Sequence, residues 1–328
     1  MDEIFDLIRQ SKNILLTLHP SPDGDTVGAN LAMYWALKQL KKKVVLISGD
    51  SKLPVNYRHL PGSDRILSQN ILDCRLQDYN LLILLDIAGK RQITQLKKIK
   101  FPENLKIINI DHHATNRGVG HFNLIDKKSP ATCEILFNLL EKWPIKINRK
   151  IAVCLLAGIY DDCHFKYELV TSRTYEIAAK LAKINPRFHQ YLFEIDNNNS
   201  PEKIKFLGIA LSKVETFFNN QAAISFVPFE IMDQNRFPKS ATENTDVANI
   251  LKSVINWQIG GTFFEYQQDK IKVGFRTRDA RKYDLTKIAK ALGGGGHRAA
   301  AGANLEMPFD QAKKLVIVQL QRIYFSNC

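Results

Sequence analysis

Three stretches of the sequence supply carboxylates and imidazoles suited to divalent-cation chemistry: His19-Pro-Ser-Pro-Asp23-Gly24-Asp25, the single Asp86, and Asp111-His112-His113. Imidazole and carboxylate ligands without thiolate suit an ion of the Mn²⁺ type. A site with this many carboxylates can hold two such ions bridged by a shared aspartate. Gly24 lets the backbone turn tightly, so Asp23 and Asp25 can reach one crevice while serving different ions. Each stretch alone has a plainer reading: a turn at Asp23-Gly24, a hydrogen-bonded core histidine at His19, a helix cap at Asp86, a surface loop at His112-His113. What favours a metal centre is that all three close candidate strands.

A fourth contributor is Gly158-Ile-Tyr-Asp161-Asp162-Cys163-His164, at the end of a helical pattern. Consecutive helical residues point about 100° apart, so the spacing predicts one of Asp161 and Asp162 in the crevice and the other in solvent. Further on, Gly293-Gly294-Gly295-Gly296-His297-Arg298-Ala-Ala-Ala-Gly302 fits neither a Walker loop nor a dinucleotide fingerprint. Four glycines allow backbone N–H groups to converge on a phosphate. His297, Arg298 and the dipole of a helix starting near Ala299–Ala301 would add positive character. Upstream, Lys272-Val-Gly-Phe-Arg276-Thr-Arg278 reads as a strand with both arginines on one face, an arrangement suited to phosphate.

The elements that must position these groups read as βαβ units in the first half. Strands are expected at Ile14–Leu18, Lys43–Ile47, Leu81–Leu85 and Lys106–Ile110, and helices at Thr26–Leu40, Ala131–Trp143, Arg149–Tyr160 and Ser172–Ile184. The predicted fold is α/β: a parallel sheet with helices on both faces, its strand ends sharing one ligand-binding edge, followed by a smaller α+β domain. Asn185-Pro-Arg and Asn197-Asn-Asn-Ser200-Pro201 loosen the pattern, Ser200 capping a helix with Pro201 at its first position. The expected division is residues 1–185, a helical linker at 186–219, and residues 220–328. In the last of these, strands are expected at Ala222–Val227, Gly261–Tyr266 and Ile271–Arg276, with helices at Val247–Val254, Leu285–Leu292 and Gln311–Tyr324.

The 328 residues, 45% hydrophobic and 24% charged, exclude a largely disordered chain. A formal charge of +13 points to anionic partners without choosing among nucleotides, nucleic acid and acidic lipid. Five scattered cysteines (Cys74, Cys133, Cys154, Cys163, Cys328) fit reduced thiols, not a disulfide framework. An acidic N-terminus and short apolar runs predict a cytoplasmic protein without a membrane span.

Taken together, these motifs resemble those of the DHH/DHHA1 phosphoesterases: His19-x-x-Pro-Asp23-Gly-Asp25, Asp86, Asp111-His112-His113, Gly158-Ile-x-x-Asp162 and the distal Gly293-Gly-Gly-Gly-His297-Arg-x-Ala-Ala-Gly302. The compact length resembles the nanoRNase and 3′-phosphoadenosine-5′-phosphate (pAp) phosphatase branch. The resemblance implies a two-Mn²⁺ hydrolase, with Mg²⁺ or Co²⁺ as other candidates. One ion would sit on His19, Asp23 and Asp86, the other on Asp25, Asp86, His112 and Asp162. His113 would contact the scissile phosphate, and Asp111 would orient the adjacent metal-bound histidine. Arg276, Arg278, Gly293, Gly294, Gly295, Gly296, His297 and Arg298 would hold the nucleotide. Two departures stand out: Asp162 is followed by Cys163-His164 instead of Thr and Gly, leaving Asp161 or Asp162 as the ligand and His164 as an added contact, and Ala29-Asn30 replaces a usual Ser.

The expected reaction is hydrolysis of short oligoribonucleotides to mononucleotides, or removal of the 3′-phosphate of pAp. Pairing of the chain with itself stays open. The alternatives are a related hydrolase acting on pyrophosphate, linear or cyclic dinucleotides or longer strands, and a non-catalytic nucleic-acid binder.

Overall fold

The computed structural model describes residues 2–166, 169–242 and 246–326. The chain divides into two compact units, Met1–Asn198 and Asn199–Cys328. The stretch read as a linker is shared between them.

Among the described residues the first unit runs α1 (Asp2–Gln10), β1 (Asn13–Thr17), α2 (Gly24–Gln39), β2 (Lys43–Ile47), β3 (Ile66–Leu67), β4 (Leu81–Leu85), β5 (Lys106–Asp111), β6 (Phe122–Ile125), α3 (Thr132–Leu140), α4 (Arg149–Cys163), α5 (Ser172–Ile184) and α6 (Phe188–Asp196). The strands form one sheet in the order β3-β2-β1-β4-β5-β6, every pairing parallel. The order reverses between β1 and β4, the point where an open α/β sheet leaves a crevice beyond its strand ends. β4 is Leu-Leu-Ile-Leu-Leu, buried at every position, because a parallel strand covered on both faces has no polar side to show.

The two covers differ. Ile14, Leu16, Leu81, Ile83 and Ile108 pack under α-helices, with Leu31, Leu136 and Leu155 among their neighbours. Leu15, Leu82, Leu84 and Ile107 on the opposite face pack under Ile71, Leu76 and Ile93, on or beside short 3₁₀ helices, so the second layer consists of single turns instead of α-helices. α2 is buried on most sides; a Cβ on its Gly28 would lie 2.4 Å from the Cys154 carbonyl oxygen, so this glycine sets how closely α2 meets α4. α3 ends at Leu140, short of the expected Trp143, while α4 continues past Tyr160 to Cys163 and carries both acids of its last turn.

The second unit runs α7 (Pro201–Ser212), β7 (Val214–Phe217), β8 (Ala222–Val227), α8 (Phe229–Asn235), α9 (Lys239–Thr242), α10 (Val247–Ser253), β9 (Ile259–Gln267), β10 (Lys270–Thr277), α11 (Thr286–Ala291), β11 (Gly295–Gly296), β12 (Ala300–Glu306) and α12 (Phe309–Tyr324). Its mixed sheet has the order β11-β12-β10-β9-β8-β7, with β8 and β9 parallel and the other pairs antiparallel. Ser200 caps α7 by accepting from the Lys203 amide, as its Ser-Pro start predicts. Val273 and Phe275 face a core completed by Ile288 and Val316, and Phe206 stacks edge-on against Phe264 on the other face. The segment after the glycine run is a strand: β12 pairs along β10 from Ala300 opposite Arg276 to Glu306 opposite Lys270. The expected helix dipole at Ala299–Ala301 is therefore absent, and β12 lies so close to β10 that a Cβ on Gly302 would stand 2.4 Å from the Val273 carbonyl oxygen.

No helix among the described residues is long and apolar enough to cross a membrane. Cys74, Cys133, Cys154 and Cys163 are free thiols, and Cys328 lies outside the described residues.

Candidate metal centre

His19, Asp86 and Asp111 stand at or just beyond the carboxyl ends of β1, β4 and β5, and α2 opens with Gly24-Asp25 beside them. Asp23 caps α2, accepting from the Thr26 amide at 3.0 Å. Asp25 reaches across to α3 and takes the Thr132 and Cys133 amides at 2.6 and 2.9 Å, serving as the cap that Ala131 cannot provide. Gly158 makes room for it, since a Cβ there would stand 2.3 Å from Cys133 Sγ and 3.1 Å from Asp25 Oδ1. Asp86 is held in the left-handed region, φ 62°, a backbone state that carries strain in most residues and that Asn and Asp tolerate better than others.

Three groups of possible ligands crowd together among the described residues: His19, Asp23 and Asp86; Asp86, His112 and His113; and Asp25, His112 and Asp162. Asp86 is shared by the first two and His112 by the last two. His19 Nε2 lies 3.5 Å from both Asp23 Oδ1 and Asp86 Oδ2. His112 Nε2 lies 3.6 Å from Asp86 Oδ1 and 3.4 Å from Asp162 Oδ2. Asp86 Oδ2 thus faces His19, and its Oδ1 faces His112 and also His113, whose Nδ1 lies 3.5 Å away.

These residues fit divalent ions on two grounds. Ligands about 2.1 Å from a common ion at octahedral to tetrahedral angles stand about 3.0 to 3.4 Å apart, and the observed spacings lie close to that range and beyond ordinary hydrogen bonds. The second ground is the tautomer. His19 Nδ1 faces the Pro20 carbonyl at 3.0 Å and His112 Nδ1 faces that of Ser129 at 3.3 Å. A carbonyl only accepts, so Nδ1 carries the proton and each neutral ring turns the lone pair of Nε2 toward carboxylates. That arrangement calls for positive charge in between.

Without an ion, protons supply it. Burial alone would lower the His19 pKa, but hydrogen bonds and charge from Asp23 and Asp86 raise it to about 11. Burial, then the Asp86 charge, pushes Asp25 up to about 7. Burial and the charges of Asp25 and Asp86 also raise Asp162 well above the usual carboxylate range.

Asp111 differs from its expected part. Its Oδ1 pairs with His113 Nδ1 at 2.7 Å, not with His112, and Asn116 Nδ2 donates to its Oδ2 at 2.6 Å. Asp111 and Asn116 thus fix the His113 ring, while the Ser129 carbonyl fixes His112. Nor is either acid of α4 simply solvated. Asp162 faces His112, and Asp161 accepts from the Gly24 amide and the Tyr57 hydroxyl. His164 ends α4 in the left-handed region and packs edge-on against Tyr160; it belongs to none of the ligand groups among the described residues. Thr132, whose Oγ1 donates to Asp86 at 3.2 Å, was invisible in the sequence except as the start of a helical pattern; Tyr57 and Asn116 gave no signal.

In the second unit, a cavity of about 460 Å³ gathers Lys272, Arg276, Gly295, Gly296 and His297. Gly293, Gly294, Arg278 and Arg298 do not line this cavity. Gly293, at φ 77°, terminates α11; its amide and that of Gly294 bond to Lys290 and Ala289 carbonyls, so four amides do not converge on one point. Arg278 lies past the end of β10 and donates to the Val254 carbonyl at 2.8 Å, closing α10. Arg298 pairs with Asp284 at 3.2 Å.

Residues 13–159 match the DHH family, N-terminal domain, and residues 219–321 match the DHHA1 domain. The chain belongs to the DHH family of phosphoesterases. It is 27% identical to the bifunctional oligoribonuclease and PAP phosphatase NrnA of Thermus thermophilus, over 93% of this chain and 88% of that one. It is 23% identical to the protein of the same name from Bacillus subtilis, over 96% of each. The crystal structure of an exopolyphosphatase-related protein from Bacteroides fragilis shares the fold, with a TM-score of 0.89 at 22% identity over 98% of this chain and 95% of that one.

Proposed function

We propose that this DHH phosphoesterase degrades short oligoribonucleotides to mononucleotides and removes the 3′-phosphate of pAp, with two divalent cations of the Mn²⁺ type. The observation that carries the reading is Asp86, whose two oxygens face His19 and His112 separately. The names of the relatives with near full-length similarity supply the substrate class. His19, Asp23 and Asp86 would hold one cation, and Asp25, Asp86, His112 and Asp162 the other. When bound, the cations supply an acidified water as nucleophile and positive charge for the phosphoryl oxygens.

The chain's own groups do the rest. His113, tethered at Nδ1 by Asp111, leaves Nε2 to donate a hydrogen bond to a phosphoryl oxygen. Burial would lower its pKa, but the Asp111 hydrogen bond and the Asp86 charge raise it, favouring the protonated donor. Thr132 keeps Asp86 turned, and the α3 amides keep Asp25 in place. Arg276 and His297, in the cavity of the second unit, are the side chains assigned to nucleotide phosphate.

The test is release of mononucleotides from a trinucleotide RNA, and of phosphate from pAp, with Mn²⁺ and with Asp86→Asn. Asn tolerates the left-handed backbone, so the substitution isolates the lost charge. Replacing outer-shell partners of a metal typically costs up to about 100-fold, and a bridging ligand should cost more. Undiminished turnover in Asp86→Asn removes the two-cation mechanism. Preferred hydrolysis of pyrophosphate, a linear diadenylate or long single-stranded DNA in the same panel moves the protein to another substrate class.

A further inference from the structure

We propose that Asp161 is a positioning residue that, together with Tyr57, braces the Asp23-Gly24-Asp25 turn against α4 and so sets the spacing of both cation groups. The inference rests on the metal reading above.

Asp161 Oδ2 accepts the Gly24 amide at 2.8 Å and the Tyr57 hydroxyl at 3.1 Å. Gly24 is the first residue of α2 and the hinge between Asp23, which belongs to the His19 group, and Asp25, which belongs to the His112 group. The helix start is therefore capped twice: by Asp23 from its own segment and by Asp161 from the far end of the domain sequence. The approach is close enough to require glycine, because a Cβ on Gly24 would stand 2.4 Å from the Cβ of Asp161. Tyr57 is 9% exposed and packed in the core, so its hydroxyl fixes where the carboxylate can sit.

Adjacent acids on α4 thus divide the work. Asp162 points to His112, whereas Asp161 appears in none of the ligand groups among the described residues. A shift of the α4 terminus would change the distance from Asp162 to His112, and through Asp161 it would also move Asp23 and Asp25. The consequence is that cation affinity depends on a residue that touches no cation.

The experiment measures Mn²⁺ binding to the whole protein by calorimetry and by the electron paramagnetic resonance of free Mn²⁺, beside the melting temperature of each metal-free variant. Asp161→Ala should weaken Mn²⁺ binding by about 10- to 100-fold, the usual cost of losing an outer-shell partner. Asp161→Asn keeps an oxygen for the Gly24 amide and the Tyr57 hydroxyl, so it should restore affinity to near wild type. Tyr57→Phe should give a smaller loss than Ala. Unchanged binding in a folded Asp161→Ala variant overturns the proposal. Equal losses in Asn and Ala also overturn it, since that marks a metal ligand and not a brace. If Asp161→Ala fails to fold, the comparison of Asp161→Asn with Tyr57→Phe decides: the proposal requires retained affinity in the first and reduced affinity in the second. Failure of the wild-type protein itself to bind Mn²⁺ would instead remove the reading on which this one rests.

Discussion

Asp25 is the side chain on which the acid–base behaviour of the centre turns. Its folded-state pKa of about 7 exceeds that of an unfolded aspartate, so in the metal-free protein it contributes stability that is full below about pH 4 and lost as the pH rises through 7. His19 acts in the same direction: its contribution is full below about 6.5 and lost toward 11. Cations require the opposite protonation states, an ionised Asp25 and a neutral His19, so their binding expels protons. The expected outcome is that the increase in melting temperature on adding Mn²⁺ grows between pH 5.5 and 8. A constant increase across that range would contradict the assigned ligands. At this scale the sequence shows candidate ligand types because they recur at strand ends. It could not decide between Asp161 and Asp162, because a 100° step between neighbours does not say which one meets a partner and the partners, Tyr57 and His112, come from remote segments. Which ring Asp111 orients was equally hidden, since His112 and His113 both follow it directly in the chain.

Secondary-structure elements were legible where burial or capping dictates a pattern. The all-apolar β4 and the Ser-Pro start of α7 stand where their residues place them. β12 escaped notice because Ala-Ala-Gly-Ala has low strand propensity; its neighbour β10 accommodates it for lack of side-chain bulk, Gly274 lying opposite Gly302. The glycine run suits a phosphate cradle by composition, yet half of it terminates a helix and the other half forms an edge strand. Glycine permits both backbones, so composition alone cannot choose. At Gly158 the need is for space between helices. Gly158→Ala should drive the Cys133 thiol and Asp25 apart, costing about 1 to 3 kcal/mol and lowering the melting temperature by roughly 3 to 10 °C. Thermal denaturation of the metal-free protein measures this, and a neutral result would show that α3 and α4 can separate without penalty.

For the whole molecule, a net charge of +13 favours anionic substrates before any contact forms. A trinucleotide has two phosphodiesters, and each neutralised phosphate of a single strand contributes a salt slope of about −0.7, so the logarithmic slope should be about −1.4. Raising salt from 50 to 200 mM should then weaken binding about sevenfold, measurable as KM for the trinucleotide at saturating Mn²⁺; a slope many times steeper would indicate a long polyanion as the natural ligand. Each of the two units has its own core, and composition alone could not allot α6 and α7 to either side. The parallel sheet brings together candidate ligands that are far apart along the chain, from His19 after β1 to Asp162 on α4. Bound cations would therefore act as rivets between early and late portions of the first unit. Inactivation would begin with their escape while the apolar layers stay intact, and it would be reversed simply by returning the ion.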